Sequence, residues 1–204
     1  MKDIILIGDG GHCSACIDVI ESSGAYRIKG VVEKEKSSRT HVLQYPIIGC
    51  DSELPELLRQ TPCAIVTVGQ IKSPATRMNL FSIIKENGGY LASVIADSAY
   101  VSKHAQIGEG AVIMHKAFVN AGATIGANCI INTGAIIEHD VHIGAHCHIA
   151  TNATVNGGCV IEPECFIGSG AVIREGVRVG RNSIIGAGVT VLKSVIENSM
   201  VRES

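Results

Sequence analysis

From about residue 95 onward, aliphatic residues recur at every sixth position. The series runs Ile95, Val101, Ile107, Ile113, Val119, Ile125, Ile131, Ile137, Ile143, Ile149, Val155, Ile161, Ile167, Ile173, Val179, Ile185 and Val191, seventeen positions without an insertion. Four residues after each stands a small or slim side chain, as at Ala99, Ala105, Ala111, Ala117, Ala123, Cys129, Ala135, Cys147 and Ala153. A period of six matches neither an amphipathic helix nor a half-buried strand. It predicts a parallel β-helix in which three hexads close one triangular coil, with position i+18 stacked on position i. The aliphatic residue fills the prism and the small residue lets the chain turn the corner. Glycine often follows the aliphatic directly, as at Gly108 and Gly126, and is expected to supply a positive φ there. About five and a half coils at the inter-strand spacing give a prism of roughly 26 Å.

The first 94 residues lack this period. Ile4–Ile7 reads as a strand, Gly8-Asp9-Gly10-Gly11-His12 as a tight loop and Ser14–Ser22 as a helix. A second strand is expected at Ile28–Val32, ending in Glu33, followed by a polar loop over Ser37–Tyr45. Ser52–Arg59 reads as a helix, Ala64–Val68 as a strand ending at Gly69, and Pro74–Asn87 as a further helix. Alternating strands and helices predict a small Rossmann-like parallel sheet with a ligand crevice at the carboxyl ends of its strands. The chain is thus expected to join an α/β domain over residues 1–90 to an all-β parallel β-helix over residues 91–204.

Composition sharpens this picture. Hydrophobic residues make up 46% of the 204, but aromatics only 3% with no Trp, so the cores must be packed with Ile, Val and Ala. A net charge of −2 without a basic run excludes a nucleic-acid footprint. The apolar run Ile4–Ile7 is too short for a secretory leader, and no stretch approaches the ~18 apolar residues of a membrane span. A cytoplasmic location is therefore expected. Of the eight cysteines, Cys129, Cys147, Cys159 and Cys165 occupy the small-residue slot, which suits buried packing thiols.

The glycine loop matches two thirds of a dinucleotide fingerprint, Cys13 standing where the third glycine belongs. A tight strand-to-helix turn explains it without a ligand. A helix N-terminus also favours phosphate, and Glu33 stands where a ribose-binding acid often sits, so a nucleotide or nucleotide-sugar is expected here rather than a dinucleotide. In the prism, Glu138-His139-Asp140-Val141-His142 is the densest polar cluster, with His146 and His148 close behind. His142 and His146 suit a solvated face. His139 differs, because Gly157 stacks directly over it: a bare backbone there admits an acyl donor and offers an N–H to a developing oxyanion. His139 can then act as general base, oriented by Asp140 or Glu138.

Asn132-Thr133-Gly134 and Glu138-His139-Asp140, together with the Gly8–His12 loop, closely resemble a family of bacterial sugar acetyltransferases. Its members include UDP-4-amino-sugar N-acetyltransferases of the bacillosamine and legionaminic acid pathways, and sialic acid O-acetyltransferases. The resemblance implies a left-handed β-helix, a homotrimer with sites between neighbouring prisms, acetyl-CoA as co-substrate and no metal. It implies that His139 is the base with Asp140 as its acidic partner, that His148 lies near the thioester, and that the Gly157 amide faces the thioester carbonyl. It places Ser169, Gly186 and Ala187 along the pantetheine arm. Gly8, Gly10, Gly11, His12, Glu33 and Gly69 would hold the nucleotide-sugar, and Asn132 and Glu138 would reach the sugar. N-acetylation of a UDP-linked 4-amino sugar follows, with sialic acid O-acetylation as the near alternative and a zinc-dependent, carbonic-anhydrase-like prism as a remote one. The chain departs from the family at Glu33-Lys34, where an Asp-Asp pair is common, and over Ser194–Ser204, where a Gly-x-Pro-Ala-Lys tail is common.

Overall fold

The computed structural model describes residues 1–202; the last two residues of the divergent tail lie outside them. The N-terminal unit consists of β1 (Lys2–Ile7), α1 (Gly11–Ser23), β2 (Tyr26–Glu33), β3 (His41–Val42), β4 (Tyr45–Cys50), α2 (Leu54–Gln60), β5 (Cys63–Val66), α3 (Ala75–Glu86) and β6 (Tyr90–Leu91). Its sheet runs β3-β4-β2-β1-β5-β6, parallel throughout except for the β3–β4 hairpin. β1 and β5 are buried almost end to end, as strands covered on both faces must be.

β4 has no counterpart among the expected strands. Pro46 and Gly49 break its apolar run, yet the strand lies parallel beside β2, toward the sheet's edge, where a proline is tolerated. α1 also begins three residues earlier than expected, at Gly11.

The prism follows from Val94. Among the described residues, eighteen two-residue strands form three faces of seven, six and five strands. Successive strands on a face pair in the expected register, Ile113 with Ile131, Ile137 with Val155 and Ile143 with Ile161. The final steps are shorter, with Ile185 pairing with Val201 and Val179 bridging to Val195. The inward aliphatics and the small corner residues form one continuous core, with Cys129, Cys147, Cys159 and Cys165 fully buried as free thiols.

The corner geometry corrects one expectation. Glycines directly after the aliphatic do not have positive φ. A Cβ on Gly126 or Gly144 would fall 2.5 Å from a backbone nitrogen of the next coil, so glycine is needed there for close approach. The left-handed residue comes two positions later, as at Gly110, Asn128, Gly134, Asp140 and Asn152.

The two units share a seam. Val94, Val112 and Met114 on the first face pack against Cys13, Cys16 and Ile17 of α1. Arg77 of α3 is wholly buried there and donates to the carbonyls of Val66 and Val68 at 2.8 and 2.7 Å and to Asn128 Oδ1 at 2.8 Å.

Candidate active site

A cavity of about 460 Å³ opens at the carboxyl ends of the N-terminal strands. Gly8 to His12 follow β1, Lys34 follows β2, Asp51 follows β4, and Thr67 to Gly69 follow β5. This is the crevice expected where the chain departs to both sides of β1. Gly8 has φ 112°, and a Cβ there would meet the Val68 side chain at 2.5 Å, so the loop can pass β5 only as glycine. Gly10 caps α1 without a side-chain bond, and the first turn carries no acid, which leaves the helix terminus open to an anion.

Gly8, Gly10, Gly11, His12 and Gly69 all line this cavity. Glu33 does not. Its carboxylate accepts from the Ser37 backbone N–H at 2.9 Å and the Ser37 hydroxyl at 2.6 Å, which hold its pKa below the usual range and tie it to its own turn. Lys34, Asp51, Thr67 and Thr76 line the cavity without having been expected; the unforeseen β4 hid Asp51.

His12 is mostly buried, and burial with Arg77 and His148 nearby lowers its pKa to about 3. His148 lies at the seam. Its Nδ1–H donates to the Gln70 carbonyl, its Nε2 accepts from Asn132 Nδ2 at 3.1 Å, and burial lowers its pKa to about 4. Both ring nitrogens are thus engaged within the chain. Asn132 is likewise committed to this seam. His146 is no solvated residue: it is half-buried, contacts Asn128 Nδ2 at 3.0 Å and meets Phe81 edge-on. His142 stays exposed beside Thr124.

His139 lies at the corner between the second and third faces. Its Nδ1 is 3.0 Å from Asp140 Oδ2, and its side chain is 64% exposed. The left-handed φ of 58° at Asp140 turns that carboxylate back toward the ring. Glu138 is engaged elsewhere, accepting from Asn120 Nδ2 at 2.7 Å. Gly157 lies over the ring as its register demands, and a Cβ there would be 2.6 Å from His139 Nε2. The imidazole packs directly on the glycine, so a reacting carbonyl must enter from the open side rather than between them. The Gly157 N–H has no acceptor among the described residues. Ser169, Gly186 and Ala187 stack along a different corner, between the first and second faces, so one chain does not unite them with His139. Among the described residues, no three His, Cys, Asp or Glu side chains converge on a metal position.

Residues 3–84 match the PglD N-terminal domain, and residues 104–139, 122–157 and 158–193 match the bacterial transferase hexapeptide. No curated protein sequence matches significantly. Among solved structures, a perosamine N-acetyltransferase from Caulobacter crescentus, in complex with CoA and GDP-perosamine, superposes with a TM-score of 0.92 at 30% identity, covering 98% of this chain and 93% of that one. The acetyltransferase domain of PglB from Neisseria gonorrhoeae, in complex with acetyl coenzyme A, gives 0.87 at 28% identity, covering 98% and 95%. WeeI from Acinetobacter baumannii shares the fold, with a TM-score of 0.82 at 20% identity and coverage of 98% and 96%. The chain belongs to the acetyl-CoA-dependent sugar acetyltransferases that join a PglD-type N-terminal domain to a left-handed hexapeptide β-helix, and it is an acyltransferase.

Proposed function

We propose that this acyltransferase moves an acetyl group from acetyl-CoA to the amine of a sugar carried on a nucleoside diphosphate, with His139 as general base. The observation that carries the reading is the packing of His139 on Gly157. With Nδ1–H donating to Asp140, Nε2 keeps its lone pair on the edge of the ring nearest Gly157. An amine placed there loses its proton to Nε2 as it attacks the thioester carbonyl, and the free Gly157 N–H is available to the oxyanion. Collapse of the tetrahedral intermediate expels CoA thiolate, which takes up a proton.

The acceptor fits the N-terminal cavity, where the glycine loop and the α1 terminus suit a diphosphate. A UDP-linked 4-amino sugar is the expectation from resemblance, and the Caulobacter relative with GDP-perosamine supports the broader class of nucleotide-linked amino sugars. The separate corners holding His139 and Ser169 favour a homotrimer in which acetyl-CoA lies between neighbouring prisms. A cytoplasmic setting goes with this reading, since acetyl-CoA is supplied there. Replacing His139 with Ala should lower kcat by about 10²–10⁴, measured as CoA release; near-wild-type turnover would reject the base. O-acetylation of a free sialic acid is the second reading, and it gains ground if no nucleoside diphosphate binds.

A further inference from the structure

The cleft continues beyond the glycine loop. An outer hollow of about 340 Å³ is lined by Lys34, Asp51, Ala75, Thr76, Asn79 and Leu80, four of which also line the larger cavity. The glycine loop borders only the larger one. Asp51 opens a 3₁₀ turn, Asp51–Glu53, at the end of β4. Among the described residues its carboxylate has neither a hydrogen bond nor an ion pair, and the nearby Lys34 ammonium pairs with Glu35 at 3.8 Å instead. Asn79, on α3, likewise has an unengaged side-chain amide.

We propose that this outer hollow is the nucleobase subsite of the acceptor and that Asp51 makes it selective for guanine. The inference rests on the reading of the cleft as a nucleotide-sugar site. An ionised carboxylate offers two acceptors and no donor. Guanine presents two adjacent donors, N1–H and N2–H₂, with O6 beside them as an acceptor for an amide such as that of Asn79. Uracil places its single N3–H between two carbonyl oxygens, so a carboxylate there gains one bond and faces an oxygen with its second atom. Adenine and cytosine set a ring-nitrogen lone pair beside the amino group. A charged group left facing an acceptor in a partly buried site costs binding, and hydrogen-bonding sites discriminate strongly on this basis.

The vicinal hydroxyls of ribose also offer two donors, and the experiment separates the cases. Calorimetric titrations of the full chain with GDP, UDP, ADP and inosine diphosphate need no variant. GDP should bind at least about tenfold more tightly than each of the others, inosine diphosphate lacking only the 2-amino group. Asp51→Asn should weaken GDP by about 10–100-fold and favour xanthosine diphosphate, whose N1–H and C2 carbonyl match an amide. Equal or tighter binding of UDP or inosine diphosphate overturns the guanine assignment. So does a uniform weakening of all four by Asp51→Asn, which would put Asp51 on the ribose. Both results leave the nucleotide-sugar reading standing, whereas failure of every nucleotide to bind removes that reading as well.

Discussion

Replacing Gly157 with Ala tests the corner directly. Gly157 does not have a positive φ, so alanine adds no backbone strain. Its new Cβ would lie 2.6 Å from His139 Nε2 and 2.7 Å from Cε1, closer than carbon and nitrogen tolerate, and the exposed ring must swing outward. That movement breaks the 3.0 Å contact with Asp140 and carries Nε2 off line by about the displacement of a methyl group. A misplacement near 1 Å costs on the order of 10²-fold in rate, or about 2.7 kcal/mol of barrier. Because the ring is mostly exposed, stability should fall by about 1 kcal/mol or less. Timed measurement of free CoA thiol, alongside a thermal melt, reads both. Turnover within about threefold of wild type, with the fold intact, would refute the claim that the ring works where it now packs.

Other outcomes follow from the same geometry. Asp140→Asn keeps a residue tolerant of the left-handed position but weakens the contact to Nδ1, so kcat should fall at least about tenfold further than in Glu138→Gln, whose partner is Asn120; equal effects would contradict the assignment of Asp140. Arg77→Met strands the Val66 and Val68 carbonyls and Asn128 at the seam and should cost about 3 kcal/mol in denaturant unfolding. His148 is neutral in the fold, with its pKa lowered to about 4 from 6.5, so the unfolded chain binds more protons between those values. Stability should therefore be level above pH 7 and fall as pH drops from 6.5 toward 4, by roughly 3 kcal/mol for this group. A His148→Gln variant with the same slope in that window would disprove the linkage.

The prism was legible because its period is written residue by residue: each inward position must be aliphatic and each corner small. The stacking of Gly157 on His139 followed from counting alone. The seam was not legible, since nothing local marks Gln70 as the acceptor for His148 or Asn128 as the partner of Arg77; those contacts join residues 51 to 78 positions apart. Glu33 shows the same limit of a local reading. An acid at a strand end suits a ribose, but Ser37, four residues on, reaches it first. Asp51 went unseen because a proline disguised the strand that delivers it.

The difference between six and eighteen has a consequence for how such a chain can change length. Removing one hexad between His139 and Gly157 would leave every aliphatic inside and every small residue at a bend, and the fold would accept the loss. The glycine, however, would be carried a third of a turn around the axis to another edge. Gains and losses inside the catalytic stretch are thus confined to whole turns, a stricter arithmetic than the architecture itself demands.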